Sequence, residues 1–184
     1  MAKPSLRLLV LLGVLVLAVA ALTFPGSAQA ASSRTSMLEQ IDELRTETWH
    51  WQRLTMKPRT PTSYSERESR SASYRTWIRE LWRSRAAAAK RRALSLPRRR
   101  EWLCIHRHEQ HPLQGWRTRT GNGFYGGLQM DLDFQRTYGA FLLRSKGTAD
   151  RWAPIEQIWV AERAYRSGRG FGPWPNTARS CGLI

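Results

Sequence analysis

The residues best equipped for chemistry lie between Trp102 and Gln129. A Trp-led stretch, WLCIHRHE, ends on Glu109, and TGNGFYGGLQ follows over residues 120–129. The first piece has the composition of an aromatic-rich helix, with Glu109 at or near its end. The second combines glycines and aromatics with the polar side chains of Thr120, Asn122 and Gln129. Glycine lets a backbone turn sharply or approach a ligand closely. The rings of Trp116 and Tyr125 suit the apolar faces of sugars, and suit a packed core equally well. A glycosidic oxygen leaves poorly until it is protonated, and one glutamic acid beside such a groove is the minimum equipment for protonating it. A lone glutamate is otherwise most often a solvated surface residue.

Three histidines, His106, His108 and His111, surround Glu109. A His-x-His pair on a helix points to nearly opposite sides. His108 and His111 are better spaced, but no Cys or Asp cluster completes a zinc set around them. Neither a metal nor a cofactor is expected. Asp131 and Asp133 follow the glycine-rich segment and are candidates for a second carboxylate by location only. Glycosidases that use two carboxylates place one on either side of the bond.

Residues from about Trp102 onward resemble the small lysozyme-like, transglycosylase-like domain of the resuscitation-promoting factors, secreted proteins of actinobacteria. The resemblance rests on four blocks in order: Trp102, Ile105 and Glu109; TGNGFYGGLQ; EQIWVAE at Glu156–Glu162; and Trp174-Pro175. It implies a mainly helical α+β fold and Glu109 as the catalytic acid and base. Trp116, Thr120, Asn122, Tyr125 and Gln129 would then contact substrate. The implied activity is cleavage of the β-1,4 bond between N-acetylmuramic acid and N-acetylglucosamine in peptidoglycan. Lytic transglycosylases manage this with one glutamate, giving a 1,6-anhydro product; a hydrolase remains open. Two departures from the family pattern stand out. The loop after Glu109 is two residues longer and carries Pro112, and Phe134-Gln135 replace a Thr-Trp pair. A glycan-binding module of the same fold that does not cut therefore remains an alternative, as does a cationic membrane-active or signalling protein.

Composition bounds the partners. The chain has 30 Lys and Arg against 14 Asp and Glu. Residues 31–100 hold a net charge of +10 and residues 101–184 a net of +4. A basic cytoplasmic chain would suggest nucleic acid. Here residues 1–30 read as a signal peptide, with a basic start, an apolar run from Leu8 to Phe24 and Ala28-Gln29-Ala30 for cleavage. The run overlaps the roughly 17–25 residues of a membrane span, so an uncleaved anchor is the single route to a membrane. Export to the cell wall changes the expected partner from nucleic acid to peptidoglycan glycan strands and anionic wall polymers. In an exported chain Cys104 and Cys181 read as a disulfide. Both are displaced by about four residues from the family's cysteine positions, and displaced together. A link closing a loop of roughly 80 residues contributes about 4 kcal/mol in the entropic description.

The elements that must position these residues follow from periodicity. Residues 31–36 read as a flexible leader. Leu38, Ile41, Leu44, Thr48, Trp51 and Thr55 recur at helical spacing. Prolines 58 and 61 stop that helix, and Ser63-Tyr64-Ser65-Glu66 reads as a capping box opening a second one through Arg92. The two form an antiparallel hairpin or one long arm. Residues 31–95 are thus a basic helical extension, and 96–184 the lysozyme-like domain. Within that domain helices are expected at 97–110, 133–143 and 154–165, with a tight hairpin or short strands over 121–130.

Overall fold

The computed structural model describes residues 25–184, with side chains from Arg34. Most of the expected signal segment lies outside the described residues. Seven helices follow in order: α1 (Pro25–Leu54), α2 (Tyr64–Glu68), α3 (Ala72–Leu94), α4 (Arg99–Glu109), α5 (Leu132–Lys146), α6 (Pro154–Ala164) and α7 (Pro175–Ser180). Single helical turns occupy Gly115–Arg117 and Ala149–Arg151, and a π-turn at Tyr165–Arg169 extends α6. Among the described residues the extended backbone reduces to two isolated bridges, Arg119 with Tyr125 and Tyr125 with Met130. The mainly helical architecture is the expected one. No helix among these residues is long and apolar enough to cross a membrane.

The extension departs from expectation in three ways. Residues 31–36 are helical within α1 rather than a flexible leader. The expected second helix is two helices. The Ser63 hydroxyl caps α2 by accepting from Glu66 N, and that of Ser71 caps α3 by accepting from Tyr74 N. Serines offer the backbone such alternatives to a continuous helix. The buried Arg75 guanidinium secures the break by donating to the Ser69 and Arg70 carbonyls.

The third departure is direction. Thr76 meets Met37 and Arg79 meets Gln40, so α1 and α3 run parallel, not antiparallel. Residues 55–71 return along them as a strap. Trp49 donates to Thr60 O, Arg45 to Glu66 O, and Trp82 to the Glu66 carboxylate. Prolines 58 and 61 favour this extended course over a tight interhelical turn. Ile41, Ile78 and Trp82 form a small core between the two long helices.

Parallel packing brings the C-terminal ends of α1 and α3 to the same place, the flank of α6. Leu54 is fully buried in the main core, with Trp51, Met56 and Leu96 packed against it. The Trp159 indole donates to Ala93 O, and Arg163 donates to Arg53 O. Trp77 faces solvent instead.

The main core gathers Trp102, Ile105, Leu128, Met130, Phe134, Trp159 and Trp174. Trp102 of α4 lies edge-on to Trp174 and against Phe171 and Tyr165. Two buried glutamates of α6 lock neighbouring elements to it. Glu162 accepts from Arg98, Arg166 and the Trp102 indole. Glu156 accepts from both Lys146 and the Ala153 amide. Ion pairs this deep must be fully partnered to be tolerated. Arg98 begins α4 with a left-handed backbone (φ 48°), its guanidinium 3.8 Å from the Tyr165 ring centre.

Candidate active site

Glu109 is the last residue of α4 and half-buried. The Cys104–Cys181 disulfide, five residues earlier, ties α4 to the residue that ends α7; its Cα atoms are 6.1 Å apart. This is the bridge read from the sequence. It brings Thr177 of α7 to Glu109, where the hydroxyl donates to Oε1. The other carboxylate oxygen accepts no hydrogen bond among the described residues.

Glu109 lines a cavity of about 310 Å³ with Asn122, Phe124, Gln129, Trp174, Pro175 and Asn176. A second cavity of about 210 Å³ shares Phe124, Gln129, Pro173 and Trp174 with it and continues past Asp131, Asp133, Phe134, Thr137 and Arg169. Through these shared residues the two adjoin as one groove. Its walls are part aromatic and part amide, the mixture that sugar recognition uses.

The glycine-rich segment has a different local role from the one its composition suggests. Gly126 and Gly127 do not make room for a ligand; they make room for side chains behind the groove. A Cβ on Gly126 would lie 2.5 Å from Gln157 Oε1, and one on Gly127 would lie 2.4 Å from His106 Nδ1. Gln157 is wholly buried. It accepts from Gly127 N and donates to the carbonyls of Trp116, Ala149 and Trp152. The segment is thereby fixed from behind. Gln129 emerges from it with φ 46°, its amide donating to Gly126 O. A non-glycine residue held in this region costs of order 1–3 kcal/mol and is found disproportionately at ligand sites.

The structure brings together Glu109, Asn122 and Gln129. The remaining expected contacts lie elsewhere. Trp116 is stacked on His106, ring centres 3.8 Å apart, behind the segment. Tyr125 is half-buried against the main core and carries both isolated bridges. Thr120 is exposed. None of these three lines either cavity of the groove. Asp131 caps α5 by accepting from Phe134 N, and Asp133 pairs with Arg136. Both carboxylates border the second cavity, not the one that holds Glu109. Of the substituted pair, Phe134 lines the groove, while Gln135 is buried and bonds Met130 O and Ala149 N.

The histidines divide by burial. His106 bonds Gly127 O through Nδ1, and burial pushes its pKa below the ordinary value, partly offset by that bond. His111 shapes the longer loop: its amide donates to the Thr118 hydroxyl, which in turn donates to Gly115 O. His108 is exposed beside the disulfide, its ring within 4.8 Å of both sulfurs. Sulfurs bonded to each other are not thiolate ligands.

Six groove residues escaped the sequence reading: Phe124, Met130, Thr137, Arg169, Pro173 and Asn176. Thr177, which holds Glu109, escaped as well. The available signal was the cysteine pair, which draws the segment after Trp174-Pro175 onto α4.

Residues 99–177 match the transglycosylase-like domain family. The resuscitation-promoting factor Rpf1 of Corynebacterium glutamicum is 38% identical over 68 residues, which cover 37% of this chain and 34% of that protein. The chain thus spans about a third of the length of that relative. No solved structure matches it. The segment that builds the Glu109 groove is thus the part of the chain that is similar to transglycosylase-like domains.

Proposed function

We propose that this is an exported enzyme that cleaves the β-1,4 bond between N-acetylmuramic acid and N-acetylglucosamine in peptidoglycan, with Glu109 as general acid and then base. The observation that carries the reading is the Glu109 carboxylate itself. One oxygen is held by Thr177 and the other accepts no hydrogen bond among the described residues, at the wall of a groove made of two adjoining cavities of about 310 and 210 Å³.

Asp131 and Asp133 lie along the same groove, each already bonded within α5, and Glu109 alone lines its nearer cavity. The reading taken is the single-glutamate route. Glu109 gives its proton to the glycosidic oxygen as the C1–O4 bond breaks. The resulting carboxylate then takes the proton of the sugar's own 6-hydroxyl as O6 bonds to C1. The product is a 1,6-anhydro sugar, no water is consumed, and Glu109 ends protonated as it began. General acid–base catalysis of this kind contributes about 10²–10⁴-fold.

The test is digestion of purified peptidoglycan by the full chain and by Glu109→Gln, with products resolved by mass. Loss of cleavage with retained wall binding supports the enzyme. Binding without cleavage by either protein would make it a glycan-binding module. Products heavier by one water would replace the anhydro route with hydrolysis.

A further inference from the structure

A second cavity lies away from Glu109, on the seam between the extension and the domain. It has a volume of about 280 Å³ and is lined by Thr46, Trp49, His50, Arg53 and Arg59 from the extension, and by Phe141 and Ser145 of α5. It holds two guanidinium groups, those of Arg53 and Arg59. Most arginines near an acid are paired with one, as Arg45 is with Asp42, Arg98 with Glu162 and Arg136 with Asp133. Arg53 and Arg59 have no carboxylate partner among the described residues. Each is held over an aromatic face instead, Arg59 at 3.4 Å from the Trp49 ring centre and Arg53 at 5.5 Å from that of Phe141. Such contacts orient a guanidinium without neutralising it.

The backbone that presents Arg59 is stiff. It lies between Pro58 and Pro61, and the adjacent Thr60 is bound three times to α1. Thr60 N donates to Gln52 Oε1, Gln52 Nε2 donates to the Thr60 hydroxyl, and the Trp49 indole donates to Thr60 O. Two unpaired guanidiniums on fixed supports, flanking one cavity, already have the order that anion binding requires. His50 Nε2 lies 3.5 Å from Glu156 Oε1; burial lowers the pKa of the ring, and the Lys146 and Arg53 charges lower it further against the opposing pull of Glu156 and Glu47. The Ser145 hydroxyl donates to Phe141 O. The Thr46 hydroxyl has no partner among the described residues and supplies a further donor at the rim.

We propose that this seam cavity binds a phosphorylated saccharide or polyol: the phosphate between Arg53 and Arg59, the carbon skeleton against Trp49 and Phe141. The arginine fork matches tetrahedral oxyanions, and the aromatic walls give a skeleton something to pack on. The site is independent of Glu109. It takes one side from each part of the protein, so it gives the basic extension a defined ligand chemistry in place of general attraction to polyanions.

The test is calorimetric titration of the full chain at fixed ionic strength with glucose 6-phosphate, a glycerol phosphodiester, inorganic phosphate, glucuronate and glucose. Saturable one-to-one binding of a phosphorylated probe is expected, with glucose silent and inorganic phosphate weaker. The monoester and diester arms distinguish a free sugar phosphate from a unit of a phosphodiester-linked polymer. Arg53→Gln or Arg59→Gln should weaken binding at least about tenfold, as loss of a charge-assisted hydrogen bond does. Arg59→Lys should lose part of that, since it keeps the charge and not the fork. Arg59 is exposed, so unchanged melting would verify that the variants fold. Equal binding by both glutamine variants, or no phosphorylated probe bound, would overturn the proposal. Glucuronate bound as tightly as the phosphates would overturn the assignment of phosphate.

Discussion

Cys104→Ala combined with Cys181→Ala removes a link between residues 77 apart in sequence. In the chain-entropy description a loop of that length contributes about 4.5 kcal/mol, mainly by restricting the unfolded chain. For a chain of 184 residues that corresponds to a melting temperature lower by about 10–18 °C. A second consequence is local. Cys181 ends α7, and α7 carries Thr177, which holds the Glu109 carboxylate. Without the disulfide, α7 stays docked through the buried Ala178 and through the Trp174 indole bond to Leu128 O, but its far end is free. Activity at a temperature where the variant is still folded should therefore fall too, by less than Glu109→Gln causes. Urea unfolding of the oxidised wild type and the double variant, followed by near-ultraviolet circular dichroism, measures the stability difference. A loss below about 1 kcal/mol with an unchanged denaturant slope would show that the link restricts little of the unfolded chain, and would refute the reasoning.

Gly127→Ala should destabilise the domain by about 1–3 kcal/mol or more, because the new methyl meets His106 and the Trp116 Cα, and a backbone cannot give way. Gly123→Ala, whose methyl meets nothing, should cost only the left-handed backbone penalty of about 1–2 kcal/mol; thermal denaturation of the two variants compares them. His50 and His106 both have pKa values lowered in the fold, chiefly by burial. The unfolded chain therefore takes up their protons first as pH falls. Stability should be full above the ordinary histidine value of about 6.5, and should drop on acidification by up to about 1.4 kcal/mol per pH unit for each, levelling below the folded values. Denaturant titrations between pH 8 and pH 5 check the sign, and a stability that rises on acidification through this window would contradict it.

What could be read from the sequence was what repeats locally. Helical periodicity located the long helices, and Ser63 marked a real cap. The cysteines named their own partner because there were two of them. What could not be read were choices settled by tertiary contacts. Nothing in residues 31–95 signals that α1 and α3 run parallel, because the direction depends on the strap's bonds at Thr60 and Glu66. The aromatic residues in and around the glycine-rich segment could serve a groove or a core equally well. Trp116 and Tyr125 went to packing, and the exposed Phe124 between them lines the groove. Gln157 and Glu162 look like surface residues of an amphipathic helix, yet they are wholly buried because each finds several partners from distant elements. Thr177 lies 68 residues from Glu109 and carries no local mark of its role.

The central claim is that Glu109 moves the proton. Its most direct test is the mass and the rate of release of soluble fragments from purified peptidoglycan, for wild type and Glu109→Gln under identical conditions. The account predicts fragments ending in a 1,6-anhydro sugar from the wild type. It predicts release at least about 100-fold slower from a Glu109→Gln protein that melts like the wild type. Release of the same fragments at the same rate by both proteins would contradict it.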